Sequence, residues 1–170
     1  MKLLLQMILL IVAVSFSNEK TWQQDAFGYR LRWNSDWKKS GEKQAEATIL
    51  ARRFDESNPG RLLGEFVGVH LTGTMETESN GMLKSPEMNP GIMELLDSAT
   101  LRTKSGTKFT CVALQVNVSM EPFEAPTVFY SIYLPGKNQG CVSFKLRCSK
   151  KDFKTLKNDL IPVILGIEST

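Results

Sequence analysis

His70, Cys111, Cys141 and Cys148 are the only histidine and cysteines in the chain, so any nucleophile or soft-metal chemistry must use them. A thiolate nucleophile needs a base beside it, and imidazole is the usual one. No cysteine lies near His70 in sequence, and the close Cys/His spacings of structural zinc are missing. There is no Gly-rich phosphate loop and no Gly-x-Ser-x-Gly elbow. His70 alternates with Phe66 and Gly68, opposite Val67, Val69 and Leu71, and reads as a half-exposed strand histidine. The acid pairs Asp55–Glu56, Glu76–Glu78 and Glu121–Glu124 fall in predicted loops. A glycosidase would set two carboxyls across a cleft, but solvated loop acids are far commoner. Asn117-Val118-Ser119 is a glycosylation sequon whose strand position argues against use. The expectation is a protein that is not an enzyme, with no catalytic residue, no metal and no cofactor.

Binding chemistry is better represented. Trp22, Trp33 and Trp37 lie within 16 residues. Trp33 belongs to a core face, and Trp37 follows a turn and packs back under a sheet edge. Trp22 sits among polar residues, where it either pins the N-terminal arm to the sheet or offers an exposed indole to a partner. Trp22, Trp37 and Tyr133 are the candidate partner-binding residues. A pocket lined by Tyr29, Tyr133 or His70 would instead point to a small-ligand carrier or weak enzyme.

The 170 residues are 42% hydrophobic and 23% charged, the composition of a globular domain. Residues 1–17 differ from the rest. Lys2 precedes an apolar run from Leu3 to Phe16, and Ser15 and Ser17 stand before a potential cut. The run is shorter than the roughly 20 residues that cross a membrane, so it reads as a secretory signal peptide with Asn18 as the mature start. An uncleaved anchor is the alternative. Residues 18–170 then form one domain with no membrane span, exported to a periplasmic or extracellular compartment. The formal charge of +3 falls by one with Lys2, and no run of five like charges occurs. The chain therefore has no electrostatic grip on nucleic acid. The expected partner is an unidentified envelope or secreted protein.

The elements that must position these residues are mostly strands. Phe27 to Trp33 alternates, with Phe27, Tyr29, Leu31 and Trp33 on one face and Arg30 and Arg32 on the other. Asn34-Ser35-Asp36 supplies turn chemistry. Ala47 to Phe54 and Glu65 to Thr72 are further strands. Gly73 to Met88 is polar and reads as a surface excursion, and Ile92 to Ser98 as a short helix. Thr100 to Thr103 and Lys108 to Val118 flank a hairpin turn at Lys104-Ser105-Gly106-Thr107. Thr127 to Leu134 and Cys141 to Cys148 follow, joined through residues 135–140. Val112, Leu114 and Val116, then Val128, Tyr130 and Ile132, then Val142, Phe144 and Leu146 predict one apolar face of an antiparallel meander. A C-terminal helix covers that face with Phe153, Leu156, Leu160, Ile164 and Ile167. Ser149 and Asp152 suit a capping box, and Pro162 predicts a kink or break. The fold class is α+β.

Export favours a disulfide, whereas the meander does not supply one. Cys141 and Cys148 lie about 23 Å apart along one strand. Cys148 shares the apolar face and reads as a buried thiol. Cys111 and Cys141 share the opposite face, separated by Tyr133 and about 10 Å, which predicts three free thiols. A Cys111–Cys141 bridge remains the alternative and requires another strand order.

The segment Phe27-Gly28-Tyr29-Arg30-Leu31-Arg32-Trp33-Asn34-Ser35-Asp36-Trp37 resembles the opening strand and turn of the PsbP, Mog-type and DcrB-like superfamily. The ending is similar too: a hairpin into Cys141–Cys148, then Lys151-Asp152-Phe153 and a helix through Leu160, Ile164 and Ile167. The resemblance implies an α/β/α sandwich around a central antiparallel sheet. It also implies a mostly non-enzymatic role. The photosynthetic branch supports the oxygen-evolving centre, the Mog-type branch binds the Ran GTPase, and DcrB-like members are exported. The leader favours an exported bacterial member.

Overall fold

The computed structural model describes residues 21–136 and 140–170. The leader expected at residues 1–17 lies outside them, as do residues 137–139 of the turn before Cys141.

β1 (Thr21–Ala26) and β2 (Tyr29–Asn34) form an antiparallel hairpin. Phe27 does not begin a strand, as alternation suggested. It forms the two-residue turn with Gly28, at φ of 55° and 80°. A tight hairpin turn demands this left-handed backbone at both central residues, where phenylalanine is a rare choice. Packing holds it there. The Phe27 ring lies edge-on to His70 and Phe144, with centroids 5.4 and 6.2 Å away. It also covers Gly68 so closely that a Cβ there would sit 2.5 Å from the ring.

The chain continues through β3 (Trp37–Lys39), β4 (Lys43–Gln44), β5 (Ala47–Phe54) and β6 (Leu62–Leu71). Next comes helix α1 (Met75–Met88), where a polar excursion was expected. The Thr74 hydroxyl accepts from the Thr77 amide at 3.2 Å, and Glu76 and Glu78 occupy the first turn. These are start signals for a helix. The apolar stripe is faint because Met75 and Ser79 are the only buried residues of α1. β7 (Met93–Arg102) replaces the short helix expected at Ile92 to Ser98. It is an outer strand, and a register shift between Leu95 and Asp97 breaks its alternation. That irregularity gives it the spacing of a helix.

β8 (Lys108–Val116), β9 (Thr127–Pro135), β10 (Cys141–Ser149), α2 (Lys150–Leu165) and β11 (Glu168–Ser169) complete the fold. The large sheet has eight strands, with β4 added to β5 and the others in the order β3-β5-β6-β10-β9-β8-β7. Its paired strands are antiparallel. A smaller sheet has the order β1-β2-β11. The β1–β2 hairpin and α2 cover one face of the large sheet, burying Leu31, Trp33, Phe66, Phe144, Leu156 and Leu160. α1 covers part of the other face, over Val112, Leu114, Tyr133 and Cys141. The result is the expected α+β architecture, a central antiparallel sheet between two outer layers.

One register differs from the expected meander. Cys111 stands opposite Ile132, and Ala113 opposite Tyr130. Phe109, Cys111 and Ala113 therefore share the α2-side face with Tyr130 and Ile132, while Val112 and Leu114 turn toward α1. β8 is buried on both faces, so its alternation does not reveal which set joins which core. Cys111 and Cys141 thus lie on opposite faces of the sheet rather than sharing one. All three cysteines are buried and unbridged, as the free-thiol expectation had it.

Two helix signals also act differently. α2 runs through Pro162 to Leu165 without a break. Ser149 has the backbone of a cap, but its side chain makes no capping bond. Asp152 instead pairs with Arg61 at 2.9 Å, tying α2 to the β5–β6 loop.

Candidate functional site

Trp22 is half-buried. Its ring stacks on Trp33 with centroids 5.4 Å apart, and its Nε1 donates to the Trp37 carbonyl at 2.8 Å. Trp37 is only 1% exposed and tilts against Trp33 at 5.5 Å. The three indoles therefore form one stack that fastens β1 and β3 to the core. Tyr133 is 3% exposed and lies on the other side of the sheet, under α1. Burial pushes its phenol up to about 12. The sequence candidates are thus separated by the sheet. Tyr29 donates to the Pro135 carbonyl and lines a shallow cleft of about 290 Å³ with Thr107 and Ser169. His70 is exposed beside Phe27.

A different surface stands out. Among the described residues, the exposed large apolar side chains are Met88, Ile92, Leu95, Leu101, Val118, Met120 and Ile161. Leu95 and Leu101 belong to β7, and Met88 and Ile92 lead into it. Val118 and Met120 follow β8 beside the start of β7, where the Asn117 amide donates to the Ile92 carbonyl at 2.8 Å. Ile161 faces Leu101 across a cavity of about 240 Å³ between α2 and the sheet. They do not form one patch: Leu95 stands opposite Leu114 on the α1 side of β7, whereas Leu101 stands opposite Phe109 on the α2 side and rims that cavity with Ile161. Sequence reasoning missed the cavity because β7 read as a helix.

The cavity is apolar inside and charged at its mouth. Phe109, Cys111 and Tyr130 line it from the sheet, and Ile161 and Ile164 from α2. Lys157 pairs with Asp97 at 2.6 Å, and its Nζ lies 5.4 Å from the Tyr130 ring centre. The hydrogen bond from Lys157 holds the Asp97 carboxyl below its ordinary range. β7 pairs with β8 on one side only, which leaves a ten-residue outer edge. Such an edge carries backbone donors and acceptors that another chain can meet, and Glu94, Asp97, Arg102 and the register shift blunt it. Among the described residues no group of three or more His, Cys, Asp or Glu is placed to hold a metal ion. No helix among them is long and apolar enough to cross a membrane.

A seven-strand antiparallel path between an N-terminal hairpin with a terminal helix and a second helix is the fold of the PsbP and Mog1p proteins. No family model and no curated protein matches the chain. Solved structures do. Cyanobacterial PsbP from Synechocystis sp. PCC 6803 superposes with a TM-score of 0.56 at 13% identity, covering 89% of this chain and 92% of that one. PA94 from Pseudomonas aeruginosa gives 0.57 at 10% identity, over 88% and 97%. The Ran-binding protein Mog1p of Saccharomyces cerevisiae gives 0.54 at 9% identity, over 89% and 96%. At these identities the likeness is one of fold.

Proposed function

We propose that this chain is an exported, non-enzymatic protein-interaction module that binds an envelope or secreted protein along β7. The partner supplies an extended segment that pairs with the outer edge of β7 and seats an apolar side chain in the cavity beside Leu101 and Ile161. The observation that carries this reading is the unpaired ten-residue outer edge of β7 beside an apolar cavity rimmed by the exposed Leu101 and Ile161. Backbone pairing would give affinity and the cavity would give selectivity, as in strand addition generally. The fold is compatible with such a role, since Mog1p is a Ran-binding protein. Export rests on the leader at residues 1–17. Trp22, Trp37 and Tyr133 enter this reading as supports of the binding layer, because little of them is exposed.

A second reading has its own observation. The cavity alone, lined mainly by apolar groups with Lys157 at its mouth, suits a small apolar ligand. Affinity capture from the native compartment separates the two. Wild-type bait should recover one protein, and Leu101→Asp should lose it while keeping the fold. Recovery of no protein, together with a small molecule released from purified material, would reverse the order.

A further inference from the structure

The cavity between α2 and β7 has a feature that an uncharged apolar occupant leaves unused. Its lining is apolar at Leu101, Phe109, Ile161 and Ile164, and the two charged residues that border it have opposite signs, Asp97 from β7 and Lys157 from α2. They lie 60 residues apart in sequence and meet at 2.6 Å. The Asp97 side chain is 47% exposed and that of Lys157 27%. An ion pair this open to water contributes little to stability, so a ligand can part it at low cost. The Lys157 Nζ also lies 5.4 Å from the Tyr130 ring centre and 5.9 Å from that of Phe153. These two rings hold the cation at the cavity edge when its carboxylate is drawn away.

The other polar groups of the lining are engaged or neutral. Cys111 Sγ donates to the Ala99 carbonyl at 3.4 Å. Burial, and then a hydrogen bond with Cys111, raise the Tyr130 phenol above its ordinary range, so it stays protonated. Recognition of a charged ligand therefore falls to Asp97 and Lys157.

Space and charge together set the occupant. The cavity's volume of about 240 Å³ lies below the roughly 300–1,000 Å³ of drug-sized sites, so the group it takes is a single aromatic ring or branched aliphatic chain. A ligand with one charge would take one member of the rim pair and leave the other without a partner. A zwitterion meets both, since its carboxylate accepts from Lys157 and its ammonium donates to Asp97. An α-amino acid carries those two groups on the same carbon as its side chain, which places them together at the mouth when the side chain is inside.

We propose that the cavity binds a free apolar α-amino acid, with its side chain among Leu101, Tyr130 and Ile161, its ammonium on Asp97 and its carboxylate on Lys157. This rests on the small-ligand reading of the cavity and names the class of ligand.

The test is an amide-shift titration of the folded, isotope-labelled protein with L-phenylalanine. Three relatives separate the contributions: phenethylamine lacks the carboxylate, hydrocinnamate lacks the ammonium, and toluene lacks both. L-phenylalanine should give saturable shifts at Ala99, Leu101, Cys111 and Ile161. It should bind at least about tenfold tighter than each relative, since charge-assisted bonds are the strong ones. Lys157→Met should erase its advantage over phenethylamine, and Asp97→Asn its advantage over hydrocinnamate. Lys157→Gln replaces the first variant if that one does not fold. A relative that binds as tightly as L-phenylalanine, or both advantages surviving in folded variants, would overturn the amino-acid site and leave the small-ligand reading standing. No saturable shift with any of the four compounds would overturn both.

Discussion

Trp22 shows how one side chain's role turns on its surroundings. From sequence it was an indole among polar residues, with two opposed readings. In the structure its ring stacks on Trp33 and its Nε1–H meets the Trp37 carbonyl. Trp22→Ala removes both contacts and leaves that carbonyl unmet. A loss of about 2–4 kcal/mol in urea unfolding is expected, in the range of aromatic truncations. An unchanged unfolding midpoint with weakened partner binding would restore the exposed-anchor role. Tyr133 was unreadable for a different reason. Its strand is buried on both faces, so alternation named no solvent side.

At the scale of elements, legibility followed contrast between faces. β2 and β5 were readable because their turns were marked in the sequence, and β2 also alternates between buried and exposed sides. α1 was missed because its buried stripe is only Met75 and Ser79, and β7 because its register shift sets Leu95 and Leu96 side by side. The fold class and the closing helix were legible, whereas the β7 edge and its cavity were not, since β7 itself read as a helix. The Phe27-Gly28 turn allows a direct test of element packing. Gly68→Ala would place a Cβ 2.5 Å from the Phe27 ring and 3.2 Å from Leu50. It should cost about 1–3 kcal/mol, the usual range for overpacking. Adding Phe27→Ala should make the pair less damaging than the sum of the single changes, because both occupy one contact. Denaturant unfolding of the three variants checks this, and strict additivity would refute it.

For the whole molecule, the α/β/α layering explains why both strand faces are apolar in β8 and β9, and why the three thiols stay apart. Cys111 and Cys148 belong to one layer interface and Cys141 to the other. The strand order also divides the molecule. β3, β5 and β6 form one half of the large sheet, and β9, β8 and β7 form the other. A chain ending at residue 140 should therefore lack a cooperative unfolding transition, while a two-state transition would show that one half folds alone. Circular dichroism during thermal unfolding distinguishes the two.

β10 is the seam between those halves, and it arrives late. β6 must wait for a partner about 75 residues downstream, a long loop to close and a slow class of contact. Until residues 141–149 leave the ribosome, both inner edges stay unpaired. A chain released through a narrow channel from its N-terminus would remain threadable almost to its last residues, and would then close in one late step.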